Sequence, residues 1–132
     1  MSHVENPASF IFAGKAEFTV QSKATGHHFS YRVTASEDAS VFFVAVVSGG
    51  SKLYAGIVPG NRRTEFRSTA KSKLHRSSPP VEAFEWFLRN PAHPQVEVHH
   101  CGKCGRCGRK LTTPESIQRG IGPECITKLE AA

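Results

Sequence analysis

The chain has 132 residues, of which 39% are hydrophobic and 21% charged, and its formal net charge is +6. A chain of this length buries roughly two-thirds of its surface on folding, so it needs no disulfide framework and cannot hold two large domains. Its longest apolar run, residues 41–47, is too short to cross a bilayer. The composition therefore predicts one ordinary folded domain with at most a small appendage, and no membrane partner.

The first ten residues, MSHVENPASF, carry neither the cationic start nor the apolar stretch of a secretory signal. We therefore expect a cytoplasmic protein whose cysteines meet a reducing environment. Disulfide bonds are not expected under these conditions.

Residues 16–58 predict two β-hairpins. The segments AEFTVQSK and HHFSYRVT are rich in aromatic and β-branched residues, and they flank a turn at residues 24–26. The run VFFVAVV is apolar at odd and at even positions alike, which is typical of a central strand covered on both faces. Residues 48–51, Ser-Gly-Gly-Ser, then turn the chain into KLYAGIV. A fifth strand, TEFRST, is expected around Phe66.

Residues 80–90 predict one helix that covers the sheet. Val81, Phe84 and Leu88 recur at helical spacing, after a serine at the N-cap position and prolines in the first turn. Prolines end the pattern, so the domain boundary is expected at residues 91–95. The expected fold is α+β, with an antiparallel sheet of four or five strands and one helix in residues 1–95, and a zinc knuckle in residues 96–132.

Two short helices are expected within the knuckle. Thr112 and Glu115, with Pro114 in the first turn, form a capping box for the first of them. Residues 123–129 can form the second, which would carry Cys125 in its first turn, where the helix dipole favours a thiolate.

All four cysteines lie between residues 101 and 125, and Cys101, Cys104 and Cys107 follow one another at gaps of two residues. Such spacing brings sulfur atoms to one point, as a tetrahedral metal ion requires. This spacing is compatible with two ligand pairs, either Cys101 with Cys104 or Cys104 with Cys107. Cys125 can complete the site in both cases. Zinc is the expected metal. An iron–sulfur cluster is a further alternative, but Cys125 is followed by isoleucine and not by the proline of ferredoxin-type motifs.

The stretch HHCGKCGRCGRKLTTPESIQRGIGPEC resembles a widespread family of domains of unknown function found in bacteriophage and other mobile-element proteins. The family signature runs Cys-Gly-Arg-x-Leu-Thr, then Ser-Ile, then Gly-Ile-Gly-Pro-x-Cys. Its members carry a histidine four positions before the first knuckle cysteine. The resemblance therefore implies that His100, Cys104, Cys107 and Cys125 hold the metal, with Cys101 as the alternative fourth ligand to His100.

The sequence favours a structural role for the metal. Four converging ligands leave no open coordination position, and no metalloprotease or deaminase motif supplies a general base. Residues 120–123, Gly-Ile-Gly-Pro, are better interpreted as a tight turn than as a phosphate-binding loop. We therefore expect neither an enzyme nor a small-molecule substrate.

Eleven of the 17 lysines and arginines lie in two stretches, each of which contains a single acidic residue. Clustered cations of this kind predict salt-sensitive binding to nucleic-acid phosphates with little sequence preference. The competing hypothesis is a protein-binding module that presents its basic loops to a host complex, for instance to block a defence system. The predicted nucleic-acid contacts are Arg62, Arg63, Arg67, Lys71, Lys73, Arg76, Lys103, Arg106, Arg109, Lys110 and Arg119.

Overall fold

The computed structural model describes residues 2–3, 10–90, 93–111, 120–122 and 125. The capping box at residues 112–115, the helix expected over residues 123–129 apart from Cys125, and Arg119 therefore lie outside the described residues. Within the described part of the chain, no helix is long and apolar enough to cross a bilayer.

The structure is an α+β fold built on one sheet, as the sequence predicts. Its elements are β1 (Ser2–His3), β2 (Lys15–Ser22), β3 (His28–Ala35), β4 (Val41–Ser48), β5 (Ser51–Pro59), α1 (Pro79–Arg89) and β6 (Val96–His100). The six strands are all antiparallel and lie in the order β1-β6-β2-β3-β4-β5.

The two predicted hairpins are confirmed, because β2 pairs with β3 and β4 pairs with β5 across short turns. The prediction of a strand around Phe66 is wrong, since the described chain there makes only an isolated bridge between Arg67 and Ile57. The prediction that both faces of residues 41–47 are covered is also wrong. In β4, Phe42 is buried on the face of the sheet that the helix covers, whereas Phe43 on the other face is 42% exposed.

Strand β6 lies between β1 and β2, inside the sheet. Its pairing with β2 runs from Val96 opposite Ser22 to His100 opposite Phe18. The strand thus delivers the cysteine segment to one end of the sheet, while the division of the chain near residues 91–95 stays a prediction.

Helix α1 packs its apolar stripe on one face of the sheet. The ring of Phe84 lies 5.0 Å from that of Tyr31 and 5.9 Å from that of Phe66, between centroids. The hydroxyl of Tyr31 donates a hydrogen bond to the carbonyl of Pro80 at 2.6 Å, which fixes the start of the helix. Burial raises the pKa of this phenol. The buried helix residues are Val81, Phe84, Phe87 and Leu88.

Ser78 occupies the predicted N-cap position of α1, but its side chain does not cap a helix amide. The hydroxyl instead donates to the carbonyl of His75 at 2.7 Å. Prolines at the first two helical positions explain why the cap is dispensable, since neither has an amide hydrogen to satisfy.

Candidate metal centre and basic surface

Cys104, Cys107 and Cys125 form the candidate metal centre. Their sulfur atoms all lie within 4.8 Å of one another. Sulfur ligands at about 2.3 Å from one tetrahedral ion lie about 3.8 Å apart, so this group needs little adjustment to hold a metal. All the cysteines are free thiols in the structure. The prediction that the cysteines converge is thus confirmed for Cys104, Cys107 and Cys125, whereas Cys101 lies outside the group.

Backbone amides point at the sulfur of Cys104. The amide of Gly122 donates to this sulfur at 3.2 Å and that of Arg106 at 3.4 Å. Burial raises the pKa of the Cys104 thiol, but the amides of Gly122, Cys107 and Arg106 outweigh this effect and lower the pKa below its ordinary value. The surroundings of Cys104 therefore favour the thiolate form that a metal ion binds.

The side chain of Arg106 turns inward to the same centre. Its Nη1 donates to the sulfur of Cys125 at 3.6 Å, and the residue is partly buried. Burial raises the pKa of the Cys125 thiol, and the contact with Arg106 lowers it. The neighbouring sulfurs of Cys107 and Cys104 raise it again, so the pKa lies above its ordinary value. Arg106 thus places a cation against a group of sulfurs that become negative when they bind metal.

Residues 101–111, here called the knuckle loop, are fastened to the sheet through Gly105 and Phe10. The carbonyl of Gly105 accepts a hydrogen bond from the amide of Lys15 at 2.6 Å. The fully buried ring of Phe10 lies so close that a side chain at Gly105 would come within 2.6 Å of it. At Gly108, a positive φ of 80° lets the loop turn back after Cys107, a conformation that glycine adopts without strain.

The structure separates the two candidates for a fourth ligand. Neither His100 nor Cys101 belongs to the group of three sulfurs. His100 is completely buried beside Phe10, and its Nδ1 accepts a hydrogen bond from the amide of Gly102 at 2.9 Å, so only Nε2 could bind a metal. Cys101 is exposed and its sulfur donates to a carboxylate oxygen of Glu17 at 3.6 Å. Burial, followed by the charge of Glu17, raises the pKa of the Cys101 thiol.

A basic surface covers the outside of the knuckle loop. Lys103 and Lys110 lie opposite each other in an antiparallel bridge. Lys15 joins them from the start of β2, since a side chain at Gly108 would come within 3.9 Å of its Cδ. The loop contains no acidic residue. We define the basic surface as Lys15, Lys103, Arg109 and Lys110, which are all exposed and form no ion pair with a described residue.

Arg62 and Arg63 lie at the same end of the sheet as the basic surface. They follow the end of β5, and β5 ends on the side where β2 begins and β6 ends. The guanidinium of Arg63 lies 5.2 Å from the ring centre of Phe12 and 5.4 Å from that of Phe42. Arg62 is exposed.

The remaining predicted contacts in residues 62–76 lie elsewhere. Arg67 pairs with Glu65 at 2.6 Å, and Arg76 pairs with Glu85 at 3.0 Å. Beyond Arg67 the chain runs back along the edge of β5, which carries Lys71 and Lys73 away from the knuckle loop. The basic residues of this stretch therefore do not form one patch.

Lys15 is the member of the basic surface that the sequence analysis missed. It is an isolated cation at the first position of β2, and its neighbours in the sequence are not basic. Only the pairing that sets the start of β2 against the knuckle loop brings it into the group. No local sequence signal could have identified it.

Residues 94–130 match the model of a family of unknown function (DUF6011). The matched segment is less than a third of the chain and includes all four cysteines and His100. No curated protein and no solved structure matches the chain. The match therefore indicates that the cysteine segment recurs in other proteins. The family is described without a function.

Proposed function

We propose that this chain is a small cytoplasmic accessory protein that binds nucleic acid through its basic surface. A structural zinc ion would hold the knuckle loop in place, and the contacts would be to phosphates, without strong sequence preference. The phage and mobile-element setting is part of this proposal and rests on the resemblance of the cysteine segment. A host protein complex is the competing partner.

The donor set of the metal centre supports zinc. Three thiolate ligands are soft donors, and amide hydrogens directed at a sulfur are suited to a ligand that carries negative charge. Among the described residues, no carboxylate joins the sulfur group to serve as a general base. The metal would therefore supply folding energy to the knuckle loop and no chemistry. By the family register, His100 would be the fourth ligand, with Cys101 as the alternative.

The observation that carries the nucleic-acid proposal is the bridge between Lys103 and Lys110. Like charges directly opposite each other destabilise a strand pair, and the other exposed cations nearby, Lys15 and Arg109, add to the repulsion. By contrast, Arg67 and Arg76 are neutralised by acidic neighbours. A phosphate backbone would relieve the repulsion in the knuckle loop and release counterions on binding.

The expected mode of binding is backbone contact. Lysine and arginine at the surface of a loop reach phosphate oxygens, whereas sequence is read by elements that enter a groove and present side chains to base edges. Helix α1 cannot do this with its apolar stripe, because those residues are packed on the sheet. We therefore expect similar affinity for unrelated sequences.

Fluorescence anisotropy with labelled duplexes and single strands of several unrelated sequences tests the proposal. The zinc-loaded protein should bind all of them at low salt with affinities within about tenfold of one another, since phosphate contacts carry no sequence information. Absence of binding to every nucleic acid at low salt, together with a stable complex with a host protein, would reject the proposal in favour of the competing partner.

A further inference from the structure

A cavity of about 400 Å³ lies at the end of the sheet opposite the knuckle loop. It opens between α1 and the last residues of β2, next to the start of β3 and of β6. Its volume falls within the range of about 300–1,000 Å³ that is usual for small-molecule sites. The proposed nucleic-acid contacts do not reach this region, so the cavity is an independent feature.

Aromatic side chains line this cavity from the helix and from the sheet side. Trp86 lines it from the helix, and Phe29 and His27 line it from the sheet side. Trp86 is 45% exposed, although the four apolar residues of the helix stripe are buried. The ring of His93 meets Trp86 at a centroid distance of 5.2 Å and an angle of 63°. Aromatic rings that line a cavity from two elements favour a flat ligand that stacks on them.

Two hydrogen bonds hold the loop that carries His93. The amide of Gln95 donates to Nδ1 of His93 at 3.1 Å, and the amide of Lys23 donates to the carbonyl of Gln95 at 2.8 Å. These bonds fix the position of His93 in the cavity wall, and a fixed wall lowers the entropic cost of binding.

Among the described residues, the lining contains polar groups but no lysine, arginine, aspartate or glutamate. Lys23 and Glu97 flank it in the sequence, and they pair with each other at 3.5 Å. Ser22, Gln95 and the histidines offer hydrogen-bond donors and acceptors at the rim of a mainly apolar wall. An ionic ligand would lose hydration there without gaining a counter-charge, whereas a neutral heterocycle could stack and still use its edge.

We propose that this cavity binds a small, uncharged, planar heteroaromatic molecule of nucleoside size. The helix residue Trp86 and the strand residue Phe29 stack on its faces. The polar groups of Ser22, Gln95 and His93 select for hydrogen-bonding atoms on its edge. This binding is separate from the contact with phosphates at the other end of the sheet.

Trp86 is the single tryptophan of the chain, so its fluorescence reports directly on the cavity. We would titrate the zinc-loaded full-length protein with adenosine and with thymidine. Cyclohexanol serves as a neutral probe that is not planar, and adenosine monophosphate as a charged one. We expect saturable quenching by at least one nucleoside, with an affinity at least tenfold higher than that for cyclohexanol. The charged probe should bind more weakly than adenosine.

Two variants test whether the cavity is the site. Ala83→Leu fills the cavity from the helix, and it should abolish the saturable response while leaving Trp86 as the reporter. His93→Ala removes one wall outside the packed core, and it should weaken binding at least fivefold even if Ala83→Leu does not fold. The matched control is Phe43→Leu on the opposite face of the sheet, which should bind as the parent protein does.

Two results would overturn this inference. One is the absence of a saturable response to either nucleoside up to its solubility limit. The other is an equal response of the parent protein, a folded Ala83→Leu variant and the His93→Ala variant. Neither result depends on nucleic-acid binding, so the cavity and the basic surface can fail separately.

Discussion

Lys103 and Lys110 lie directly opposite each other across an antiparallel bridge, and both side chains are exposed. The backbone holds them in this position: the amide of Cys104 donates to the carbonyl of Arg109, and that of Leu111 donates to the carbonyl of Gly102, each at 2.8 Å. Like charges at such positions destabilise a strand pair. The knuckle loop thus keeps an unfavourable arrangement that an anionic partner would turn into a favourable one.

Replacing one of these lysines should have opposite effects on stability and on binding. Lys110→Glu creates an attractive pair with Lys103, so we expect the free energy of unfolding of the zinc-loaded protein to rise by about 0.2–1 kcal/mol. The same change should weaken binding to nucleic acid. Urea unfolding and fluorescence anisotropy measure the two quantities, with Lys71→Glu as the control for charge alone. A gain in stability without loss of binding would exclude these lysines from the interface.

The purified protein should contain about one zinc ion per chain and be colourless, because three cysteine sulfurs converge as a tetrahedral site requires. Cys107→Ser or Cys125→Ser should lose most of the metal, as each removes one converging thiolate. Elemental analysis by mass spectrometry gives the metal content. A brown protein with the visible absorption of an iron–sulfur cluster would refute zinc.

His100 and Cys101 should differ as metal ligands. Cobalt can replace zinc as a spectroscopic probe, and its visible bands depend on the number of bound thiolates. We expect the Cys101→Ala protein to keep the cobalt spectrum of the parent, because Cys101 is exposed and turned to Glu17. His100→Ala should lower the affinity for the metal. A changed spectrum in Cys101→Ala with an unchanged one in His100→Ala would make Cys101 the fourth ligand.

Arg106 should support the metal centre more than it supports binding to nucleic acid. Its contact with the sulfur of Cys125 places it next to the bound ion, and loss of such a supporting contact typically costs about 10–100-fold in metal affinity. We therefore expect Arg106→Ala to release zinc to a chelator faster than the parent does. Arg109→Ala, a neighbouring exposed cation, is the matched control and should release zinc at the parental rate. Equal release rates in the two variants would remove Arg106 from this role.

Local patterns in the sequence predicted the parts of the fold that depend on near neighbours. The two hairpins and helix α1 follow from alternation, turn residues and the spacing of Val81, Phe84 and Leu88. The insertion of β6 between β1 and β2 could not be predicted in this way, because it depends on pairing with residues far away in the chain. The exposure of Phe43 escaped prediction as well, since an apolar residue gives no sign that its face of the sheet is uncovered.

The candidate site shows the same division. Regular spacing predicted that Cys104 and Cys107 would meet, and the glycine-rich segment before Cys125 predicted its return to them. The grouping of cations was less predictable. Arg67 lies near Arg62 in the sequence but is paired with an acidic neighbour, whereas Lys15 reaches the knuckle loop only through the sheet.

The most direct test of the account is the salt dependence of duplex binding in two triple variants. Lys15→Gln, Lys103→Gln and Lys110→Gln together remove three cations of the basic surface. The matched control, Arg67→Gln, Arg76→Gln and Arg89→Gln, removes three cations that are paired with acidic residues. Each triple variant lowers the formal net charge from +6 to +3, because three single positive charges are removed.

Each phosphate contact contributes about 0.9 to the slope of log affinity against log salt concentration. We predict that the basic-surface variant has a slope shallower than the parental slope by about two to three, at unchanged zinc content. The slope of the control variant should differ from the parental slope by no more than about 0.9, the contribution of one phosphate contact. Equal slopes in the two variants would contradict the account, because binding would then depend on net charge alone and not on the cations around the knuckle loop.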